Sequence, residues 1–506
     1  MLAAANQTIL VLAFAGYTLV IVAVGLYSAR YARRTDEDFF LAGRSLGKWV
    51  AALSASASSE SGWVTLGLVG MGYSQGVAGY WLVPGCLIGY AFIWFVMAGR
   101  MRDRAVAIGA VTVPDFFALH FGERFAVVRT LSVVVILTAM LLYVAAQFAA
   151  AGKAFAAAFP GIGYQQGVLI GAAIVLVYTV SGGFRAVCWT DLLQALLMLG
   201  VLVVFPIYLL SDLGGYGAVL DRLRVIDGGR LNSFVPQGVS GLGLVGFVFG
   251  ASALGINFGY PGQPHVVVRF MALRDRTEAR VAGVIAMIWA GLVLWGAVTV
   301  GIAARVMAEQ GAAWAGALEA DAELSLVVTA THLLPQVISG MVLAAVLAAI
   351  CSTADSQLVV AASAAANDVY ARLFARDGQG SHVWIDRLVV FALGVGAVLL
   401  VIDQKVTVYA YVLTYGWAIL GAAFGPQLIL VLLWRRATYA GCVAGMVTGF
   451  AVPVLWKLQF DGQIHGVEVY NLPFGFVCAL VVNVLVSMAT RPPDSAAQDC
   501  KISRGH

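Results

Sequence analysis

Charged residues are scarce in this sequence: lysine, arginine, aspartate and glutamate make up only 11% of its 506 residues, whereas hydrophobic residues make up 61%. A soluble globular domain has about 25% charged residues. So few charges cannot cover a water-facing surface, and the mean hydropathy of +0.90 is correspondingly high. The composition therefore excludes an ordinary soluble domain and favours a chain that is solvated by a lipid bilayer.

Several functional motifs are also missing. The six cysteines show neither paired metal-ligand spacing nor a secreted disulfide framework. The sequence contains no P-loop, no His-Glu-x-x-His and no nucleophile elbow. The N-terminal apolar run has no basic segment before it, unlike a cleavable signal peptide. We therefore expect a protein that is not an enzyme, that uses no cofactor, and that has neither a nucleic-acid partner nor an obligate protein partner.

Long apolar runs are what the sequence does contain. A membrane-spanning helix needs about 20 mostly apolar residues, and backbone groups without water partners must form helices in hydrocarbon. The pattern predicts an all-α polytopic membrane protein with thirteen spans, at 7–27, 48–72, 77–99, 127–158, 165–180, 190–211, 240–260, 281–305, 337–365, 387–402, 405–433, 437–456 and 472–490.

Lysines and arginines are concentrated in alternate loops. The set that we predict to be cytoplasmic contains Arg30, Arg33, Arg34, Arg44, Lys48, Arg100, Arg102, Arg104, Arg124, Arg185, Arg269, Arg274, Arg276, Arg280, Arg372, Arg376, Arg435 and Arg436. The opposite set contains only Arg222, Arg224, Arg230, Lys405 and Lys457. The positive-inside rule then places the N-terminus outside and the C-terminus, with a cytoplasmic tail at 491–506, inside. The acidic stretch 306–336, with Glu309, Glu319, Asp321 and Glu323, would also lie outside, where we expect a solvated loop face, with attraction of an approaching cation as the alternative.

The second predicted span contains an unusual polar run, Ser54-Ala-Ser-Ala-Ser-Ser-Glu-Ser-Gly62, with five serines and a glutamate. One interpretation is close helix packing by small residues. The other is a helix that breaks here and turns its oxygens toward a cavity, where they would suit a hard cation such as Na⁺. A charge inside a span needs a function, which favours the second interpretation for Glu60.

The ninth span offers a second set of oxygens. Ser352 and Thr353 follow Ala349 by three and four positions, so the three share one helical face, and Asp355 and Ser356 lie one turn further on. The alternative is that both hydroxyls bond to the preceding turn of their own helix.

The seventh span ends in Gly255-Ile-Asn-Phe-Gly-Tyr-Pro-Gly-Gln-Pro-His265, where three glycines and two prolines oppose a regular helix. An ordinary loop is one interpretation. A second broken span five after the first is instead typical of transporters with inverted repeats. We therefore predict one transmembrane domain over 1–490, with repeat one at about 48–211 and repeat two at about 240–433.

Two further titratable residues stand near these features. His265 is a proton carrier in principle, but beside Pro264 we interpret it as a structural hydrogen-bonding residue. Asp191 follows Trp189 and Thr190 at the predicted start of the sixth span, so we interpret it as a helix N-cap that would also suit an inner ion exit.

At these residues the sequence resembles the solute:sodium symporter family from about residue 7 to 490, and most of all its bacterial proline-transporting branch. The motifs that carry the resemblance are Asp38-Phe-Phe-Leu-Ala-Gly-Arg-Ser-Leu46, Ala52-Leu-Ser-Ala55 through Ser61-Gly-Trp63, Ser181-Gly-Gly-Phe-Arg-Ala-Val-Cys-Trp-Thr-Asp191, Gly262-Gln-Pro-His265 with Arg269-Phe-Met-Ala272, and Ser352-Thr-x-x-Ser-Gln-Leu358. The resemblance implies a leucine-transporter-like core of two inverted five-helix repeats, with one extra helix before and two after.

The resemblance also implies the ligands. Na⁺, the only metal expected, would be held by the carbonyls of Ala57, Glu60 and Ala349 and the hydroxyls of Ser352 and Thr353. A further ion site would involve Ser59, Asp355, Ser356 and Asp191. The solute would lie near Ser61, Gly62, Tyr143, Gln147, Ile256, Asn257, Tyr260 and Pro264, with its carboxylate on amides freed by the first break.

The sequence departs from the proline branch at two positions. That branch has an aspartate at the position of Ser59, whereas the carboxylate here is at Glu60, and it has a tryptophan at the position of Ile256. The function implied is Na⁺-coupled import of L-proline, or of a related small solute, across a bacterial cytoplasmic membrane. The alternatives are a symporter for another small amino acid or carboxylate, a proton-coupled carrier that uses Glu60 and Asp355, and a transporter-like solute sensor.

Overall fold

The computed structural model describes residues 2–29, 36–123, 126–179, 183–235, 241–370, 383–460, 463–464 and 467–491. Within these ranges the chain is helical except for short connections and two short strands, Gln463–Ile464 and Val467–Glu468, which pair antiparallel. Ten helical stretches in the described part are long and apolar enough to cross a membrane, and the longest is Trp63–Ile108. The number of thirteen membrane-spanning segments stays a prediction.

The helices have the following bounds. The α-helices are Leu2–Ala29, Asp36–Leu41, Lys48–Ser59, Val69–Gln75, Leu82–Ala91, Gly99–Ile108, Val113–Phe121, Val127–Ala158, Tyr164–Thr179, Phe184–Asp212, Tyr216–Val225, Leu242–Val248, Pro264–Met271, Arg276–Glu309, Ala315–Ala320, Ser325–Leu333, Gln336–Ser363, Val383–Val401, Val408–Tyr411, Ala418–Leu433, Tyr439–Phe460 and Asn471–Ala489. The π-helical segments are Trp63–Leu68, Phe92–Ala98, Ala364–Tyr370 and Val412–Trp417. The 3₁₀ segments are Ala42–Arg44, Gly76–Trp81, Ile226–Asn232, Leu254–Gly262 and Ala322–Leu324.

Two predicted span boundaries are wrong. The helix predicted at 77–99 continues to Ile108, so Arg100, Arg102 and Arg104 lie in a helix and not in a loop. The helix predicted at 190–211 begins at Phe184. An apolar run shows which part of a helix crosses the hydrocarbon. The helix itself continues into the polar interface as long as its backbone hydrogen bonds continue, so its ends cannot be read from the apolar run alone.

The seventh predicted span, 240–260, is also not a continuous helix. Leu242–Val248 ends early, the 3₁₀ segment Leu254–Gly262 follows, and Pro264–Met271 then forms what we call the second half-helix. The break predicted at 255–265 is therefore present, but it lies inside the span and not at its end. Pro264 fits this arrangement because its missing N–H and fixed φ suit the first position of a helix.

The second predicted span is interrupted as well. Lys48–Ser59, which we call the first half-helix, ends at Glu60, whose φ of −97° and ψ of 80° are not helical. A π-helical segment begins again at Trp63. The first half-helix is buried from Ala51 to Ser59, because it packs against Phe184–Asp212, Arg276–Glu309, Gln336–Ser363 and the second half-helix. Both half-helices thus lie in the centre of the bundle.

Glycines allow the closest approach of helices beside this centre. A Cβ atom on Gly72 would lie 2.4 Å from the carbonyl oxygen of Val298, and one on Gly301 would lie 2.0 Å from that of Val69. The continuation of the first broken span therefore rests directly on the backbone of Arg276–Glu309, as small residues permit in membranes. Asp275 caps that long helix, and hydrogen bonds from Thr277 and the Glu278 amide hold the pKa of its carboxyl below the usual range.

The stretch 306–336 is folded and does not form a simple loop. It contains Ala315–Ala320, Ala322–Leu324 and Ser325–Leu333, which together we call the lid segment. The expectation of a solvated acidic face is wrong for Glu323, which is only 5% exposed. Its carboxylate accepts hydrogen bonds from Lys153 at 2.6 Å and from the amides of Val408 and Tyr409 at 3.0 and 2.9 Å.

Some predictions fall outside the described residues. These are the tail beyond Arg491 and six of the arginines that set the predicted orientation, Arg30, Arg33, Arg34, Arg124, Arg372 and Arg376.

Candidate ion and solute site

Four of the predicted sodium ligands converge where the first half-helix meets Gln336–Ser363. The Ser352 hydroxyl lies 2.8 Å from the Ala57 carbonyl oxygen and 3.1 Å from that of Ala349. The Thr353 hydroxyl lies 3.4 Å from the Ala57 oxygen and 3.0 Å from that of Ser58. All of these residues are buried. Such a group of carbonyl and hydroxyl oxygens has the chemistry that hard cations prefer.

The fifth predicted ligand, Glu60, directs its side chain to a different neighbour. Its Oε1 atom accepts a hydrogen bond from the Tyr260 hydroxyl at 2.9 Å, so the carboxylate links the two broken spans. Among the described contacts, none joins this carboxylate to Ser352 or Thr353. The carbonyl role expected of Glu60 stays a prediction, and the carboxylate belongs to the interface with the Leu254–Gly262 segment.

The residues of the predicted further ion site separate into two places. Asp191 and Ser356 come together through Arg269, whose guanidinium lies 3.0 Å from the Asp191 carboxylate and 2.6 Å from the Ser356 hydroxyl. Ser59 lies elsewhere, with its hydroxyl 2.7 Å from that of Tyr90. Asp355 is fully buried in the same helix as Ser356.

The interpretation of Asp191 as an N-cap is wrong. Its helix begins seven residues earlier at Phe184, and the side chains of Asp191 and Arg269 are both fully buried. Ser54 and Ser58 complete this group, with hydroxyl oxygens 2.7 and 3.2 Å from the Asp191 carboxylate. Arg269, which the loop-charge count assigns to a surface loop, is thus a buried cation that compensates a buried anion.

Gln147 forms hydrogen bonds with polar groups at the break that follows the first half-helix. Its side-chain oxygen accepts the Gly62 amide at 3.0 Å, and its side-chain nitrogen donates to the Ser61 hydroxyl at 3.1 Å. The amide that we expect to receive a solute carboxylate is therefore bonded to Gln147 in this conformation. The structure brings these three predicted solute residues together.

Aromatic side chains surround this point. The Tyr143 ring meets the His265 ring edge-on with centroids 6.0 Å apart, and the Tyr260 ring contacts Tyr90 at 5.0 Å and Trp417 at 4.8 Å. All five side chains are almost completely buried. The site is closed to solvent in this structure.

The structural hydrogen-bonding role expected of His265 stays a prediction, and the backbone of Ser58 is its candidate partner. Neither of its ring nitrogens makes a hydrogen bond of normal geometry to the described residues, although its side chain is fully buried. Its packing against Tyr143 instead places the ring on the side of the solute candidates.

The remaining solute candidates belong to the second break. Ile256 is fully buried, and its carbonyl accepts the Trp417 indole N–H at 3.0 Å. The Asn257 side chain is partly buried and donates to the Leu254 carbonyl, so it stabilises its own segment. Pro264 is buried at the start of the second half-helix.

Sequence reasoning missed Arg269, Trp417 and the pair of Lys153 with Glu323. Arg269 had two signals, because it stands in a motif that carries the family resemblance and lies one turn after a predicted break. Lys153 had a clearer one, because it lies inside an apolar run where a charge needs a partner.

The family model described as the sodium:solute symporter family matches residues 39–449. The chain is 34% identical to the sodium/proline symporter of Escherichia coli (strain K12), covering 98% of this chain and 96% of that protein. It is 33% identical to the osmoregulated proline transporter OpuE of Bacillus subtilis (strain 168), over 95% of both chains. The high-affinity proline transporter PutP of the same organism is 35% identical and covers 91% of this chain and 94% of its own length.

Solved structures show the same fold. A Na⁺-coupled sialic acid symporter in a substrate-bound outward-open state superposes with a TM-score of 0.76 at 18% identity, over 96% of this chain and 98% of that one. The nucleobase-cation-symport-1 transporter Mhp1 in a closed conformation gives a TM-score of 0.53 at 15% identity, over 92% and 97% of the two chains. The predicted all-α leucine-transporter-like architecture is thereby confirmed.

Proposed function

Because the chain belongs to the sodium:solute symporter family, we propose that it is a secondary active symporter that imports L-proline with Na⁺ by alternating access. The observation that carries the proposal is the convergence of the Ala57 and Ala349 carbonyls with the Ser352 and Thr353 hydroxyls at the end of a broken helix. The relatives are transporters by name, so the chain is a transporter and not an enzyme.

In this proposal Na⁺ binds between the first half-helix and Gln336–Ser363. The ligands are the carbonyls of Ala57, Glu60 and Ala349 and the hydroxyls of Ser352 and Thr353. When the ion arrives, both hydroxyls turn their lone pairs to it and release the Ala57 carbonyl, which then also faces the ion. The ion thus replaces hydrogen bonds that already tie the two helices together, and it favours the state in which they are in contact.

A second ion position lies next to the first, at Asp191, Asp355 and Ser356. Arg269 already provides a positive charge to Asp191, at 3.0 Å. A cation would enter this position only if the guanidinium moved away, because two positive charges within about 4 Å repel. Ser59 is bonded to Tyr90 and belongs to a different interface.

L-Proline binds at the break that follows the first half-helix. Its carboxylate replaces Gln147 as the hydrogen-bond partner of the Gly62 amide and the Ser61 hydroxyl. Free backbone amides at the start of a helix favour an anion. Its ring lies against Tyr143 and Tyr260, with Pro264 beside them. Ile256 supports this wall through its backbone carbonyl, and Asn257 supports it through its side chain.

The Na⁺ gradient drives uptake because both ligands favour one closed conformation. Na⁺ orders the end of the first half-helix, and proline bridges the break to Val127–Ala158. Each ligand therefore raises the affinity for the other, and this reciprocity is a coupling free energy. Alternating access follows when the closed conformation opens to either side of the membrane.

We also propose the placement in the membrane. The arginine-rich loops would face the cytoplasm, with the N-terminus outside and the C-terminus and its tail at 491–506 inside. The chain would be a single domain with repeats at about 48–211 and 240–433, in the inner membrane of a bacterium. The bilayer would be its solvent, and the many exposed apolar side chains along the helices support this part of the proposal.

A second solute class has one observation in its favour. Ile256 stands where the proline branch has a tryptophan, which leaves less aromatic surface for a pyrrolidine ring. A symporter for another small amino acid or carboxylate would have the same ion site and a differently lined solute site.

The deciding experiment is uptake of radiolabelled proline by proteoliposomes that contain the purified protein. Uptake should require an inward Na⁺ gradient and fall to the level of empty liposomes when K⁺ replaces Na⁺. Unchanged uptake without Na⁺ would refute the proposed coupling. Competition by a panel of unlabelled amino acids and carboxylates distinguishes proline from the second solute class.

A further inference from the structure

The helix that begins at Val408 contains a π-helical segment, Val412–Trp417, which we call the wide turn. A π-helical turn releases carbonyls from their usual partners, and such segments are frequent at functional sites. Here the Leu413 carbonyl accepts the Tyr470 hydroxyl at 3.1 Å, and the Thr414 carbonyl accepts the Asn471 side chain at 3.0 Å. The start of the last helix therefore holds the wide turn open.

Gly416 brings the wide turn against Tyr143. A Cβ atom on Gly416 would lie 2.7 Å from Cδ1 and 2.7 Å from Cγ of the Tyr143 ring. The ring thus rests directly on the Gly416 backbone, and it also contacts the His265 ring, at 6.0 Å between centroids. No larger residue fits at position 416 unless the Tyr143 ring moves toward the solute candidates.

Trp417 brings the same turn against the second break. Its indole N–H donates to the Ile256 carbonyl at 3.0 Å, and its ring meets the Tyr260 ring edge-on at 4.8 Å. Gly259 leaves the space for this ring, because a Cβ atom there would lie 1.8 Å from the Trp417 Nε1 atom. The indole is completely buried and touches two solute candidates at once.

We propose that Gly416 and Trp417 form a further wall of the solute site and set its selectivity for ring size. Gly416 fixes the depth of the Tyr143 ring, and Trp417 fixes the position of the Tyr260 ring and supplies the aromatic surface that Ile256 lacks. The ligand that fits is a cyclic α-imino acid with a five-membered ring. This inference rests on the proposed function, because it takes Tyr143 and Tyr260 as solute contacts.

Two substitutions shift this wall in opposite directions. Gly416→Ala pushes the Tyr143 ring inward and narrows the site. Trp417→Phe removes the outer ring of the indole and its N–H, so Tyr260 can withdraw and the site widens. A hydrophobic pocket discriminates one methylene group by about 10-fold or more. The six-membered ring of pipecolate, which differs from proline by one methylene, is therefore the probe.

The experiment measures competition by pipecolate against Na⁺-driven proline uptake in proteoliposomes. We expect Gly416→Ala to lower the apparent affinity for pipecolate relative to that for proline by about 10-fold. We expect Trp417→Phe to raise the apparent affinity for pipecolate relative to that for proline. A loss of folding alone lowers the amount of active protein and does not change this ratio.

Matched controls use the same changes away from the site. A Cβ atom on Gly425 would lie 2.6 Å from the Phe476 ring, a clash as close as that of Gly416. Trp94 is as buried as Trp417 and packs on Phe270 with centroids 4.8 Å apart. Gly425→Ala and Trp94→Phe should therefore leave the pipecolate-to-proline ratio unchanged.

The outcomes separate the two proposals. The inference is supported if the pipecolate-to-proline ratio changes in opposite directions in the two site variants and does not change in the two controls. If Gly416→Ala gives no active protein, the direction of the Trp417→Phe shift decides. A ratio that stays at the wild-type value, or that shifts equally in the controls, overturns the inference and leaves the proposed function standing. Wild-type protein without Na⁺-driven proline uptake overturns both.

Discussion

Ser58 takes part in two polar groups through its backbone and its side chain. Its carbonyl accepts the Thr353 hydroxyl at 3.0 Å, within the predicted sodium site. Its hydroxyl lies 2.9 Å from the Arg269 guanidinium and 2.9 Å from the Ser356 hydroxyl. A single residue therefore connects the first group to the second group.

The two hydroxyls of the predicted sodium site give a direct test. We expect the double substitution Ser352→Ala and Thr353→Ala to raise the Na⁺ concentration needed for half-maximal proline uptake many-fold, because it removes two of five oxygen ligands. The measurement is the Na⁺ dependence of uptake in proteoliposomes. Ser363→Ala is the control, since Ser363 lies in the same helix and bonds only to the Val359 carbonyl among the described contacts. An unchanged Na⁺ dependence in the double variant would move the site elsewhere.

The buried pair of Asp191 and Arg269 predicts a non-additive effect on stability. Asp191→Asn leaves a buried guanidinium without its counter-charge, which costs about 3–5 kcal/mol for a pair of this kind, whereas removal of both charges costs much less. We therefore expect Asp191→Asn combined with Arg269→Gln to melt at a higher temperature than Asp191→Asn alone. Thermal melting of the purified variants measures this. If the loss of melting temperature in the double variant equals the sum of the losses in the two single variants, the two charges do not compensate each other.

At the scale of elements, the lid segment is fixed by its one buried acid. Glu323 bonds to the first two amides of the helix that begins at Val408, as an acid at a helix start does. It also pairs with Lys153, which lies near the end of Val127–Ala158 and which Asp321 contacts at 2.8 Å. Three elements thus meet at one carboxylate, next to the helix that carries the wide turn.

This arrangement predicts that Glu323→Gln loosens the lid segment. A glutamine has one side-chain oxygen in place of two, so it keeps at most part of the hydrogen bonding with the amides of Val408 and Tyr409. Its neutral amide also no longer offsets the charge of Lys153. We expect faster hydrogen exchange over 315–333 and 408–411, measured by mass spectrometry. Glu319→Gln changes an exposed acid of the same segment and should have no effect. Equal exchange in both variants would contradict the role given to Glu323.

At the scale of the whole molecule, three buried ionic groups connect the two predicted repeats. Asp191, Lys153 and Arg129 belong to repeat one, and each pairs with a charge of repeat two. Those partners are Arg269, Glu323 and Asp368. Because lipid-facing surfaces contribute little cohesion between helices, such pairs have a large part in fixing how the halves fit together. A movement of one repeat against the other must preserve or exchange these pairs.

Coupling between the ligands is the corresponding prediction for the whole molecule. If Na⁺ and proline favour the same closed conformation, proline raises the melting temperature of the purified protein more in Na⁺ than in K⁺. The Ser352→Ala and Thr353→Ala double variant should lose this difference and keep the weaker effect of proline in K⁺. Equal stabilisation by proline in both salts would exclude a thermodynamic link between the two sites.

The solvent and the local geometry of this protein follow from its composition and from short-range patterns along the chain. Low charge and long apolar runs predicted a helical bundle in a membrane, and glycine, serine and proline predicted both breaks. Helical spacing put Ala349, Ser352 and Thr353 on one face. These features depend on neighbours within one or two turns, where composition and periodicity act directly on the backbone.

Which buried groups meet depends on the three-dimensional packing of the helices. Asp191 and Arg269 are 78 residues apart, and Glu60 and Tyr260 are 200 apart. Such contacts depend on the angles and distances at which whole helices cross, and no short pattern encodes those. The tertiary structure therefore placed Arg269 inside the bundle and turned the Glu60 carboxylate toward the second break. It also brought Trp417 against Tyr260, because glycines at the crossing leave room for close packing.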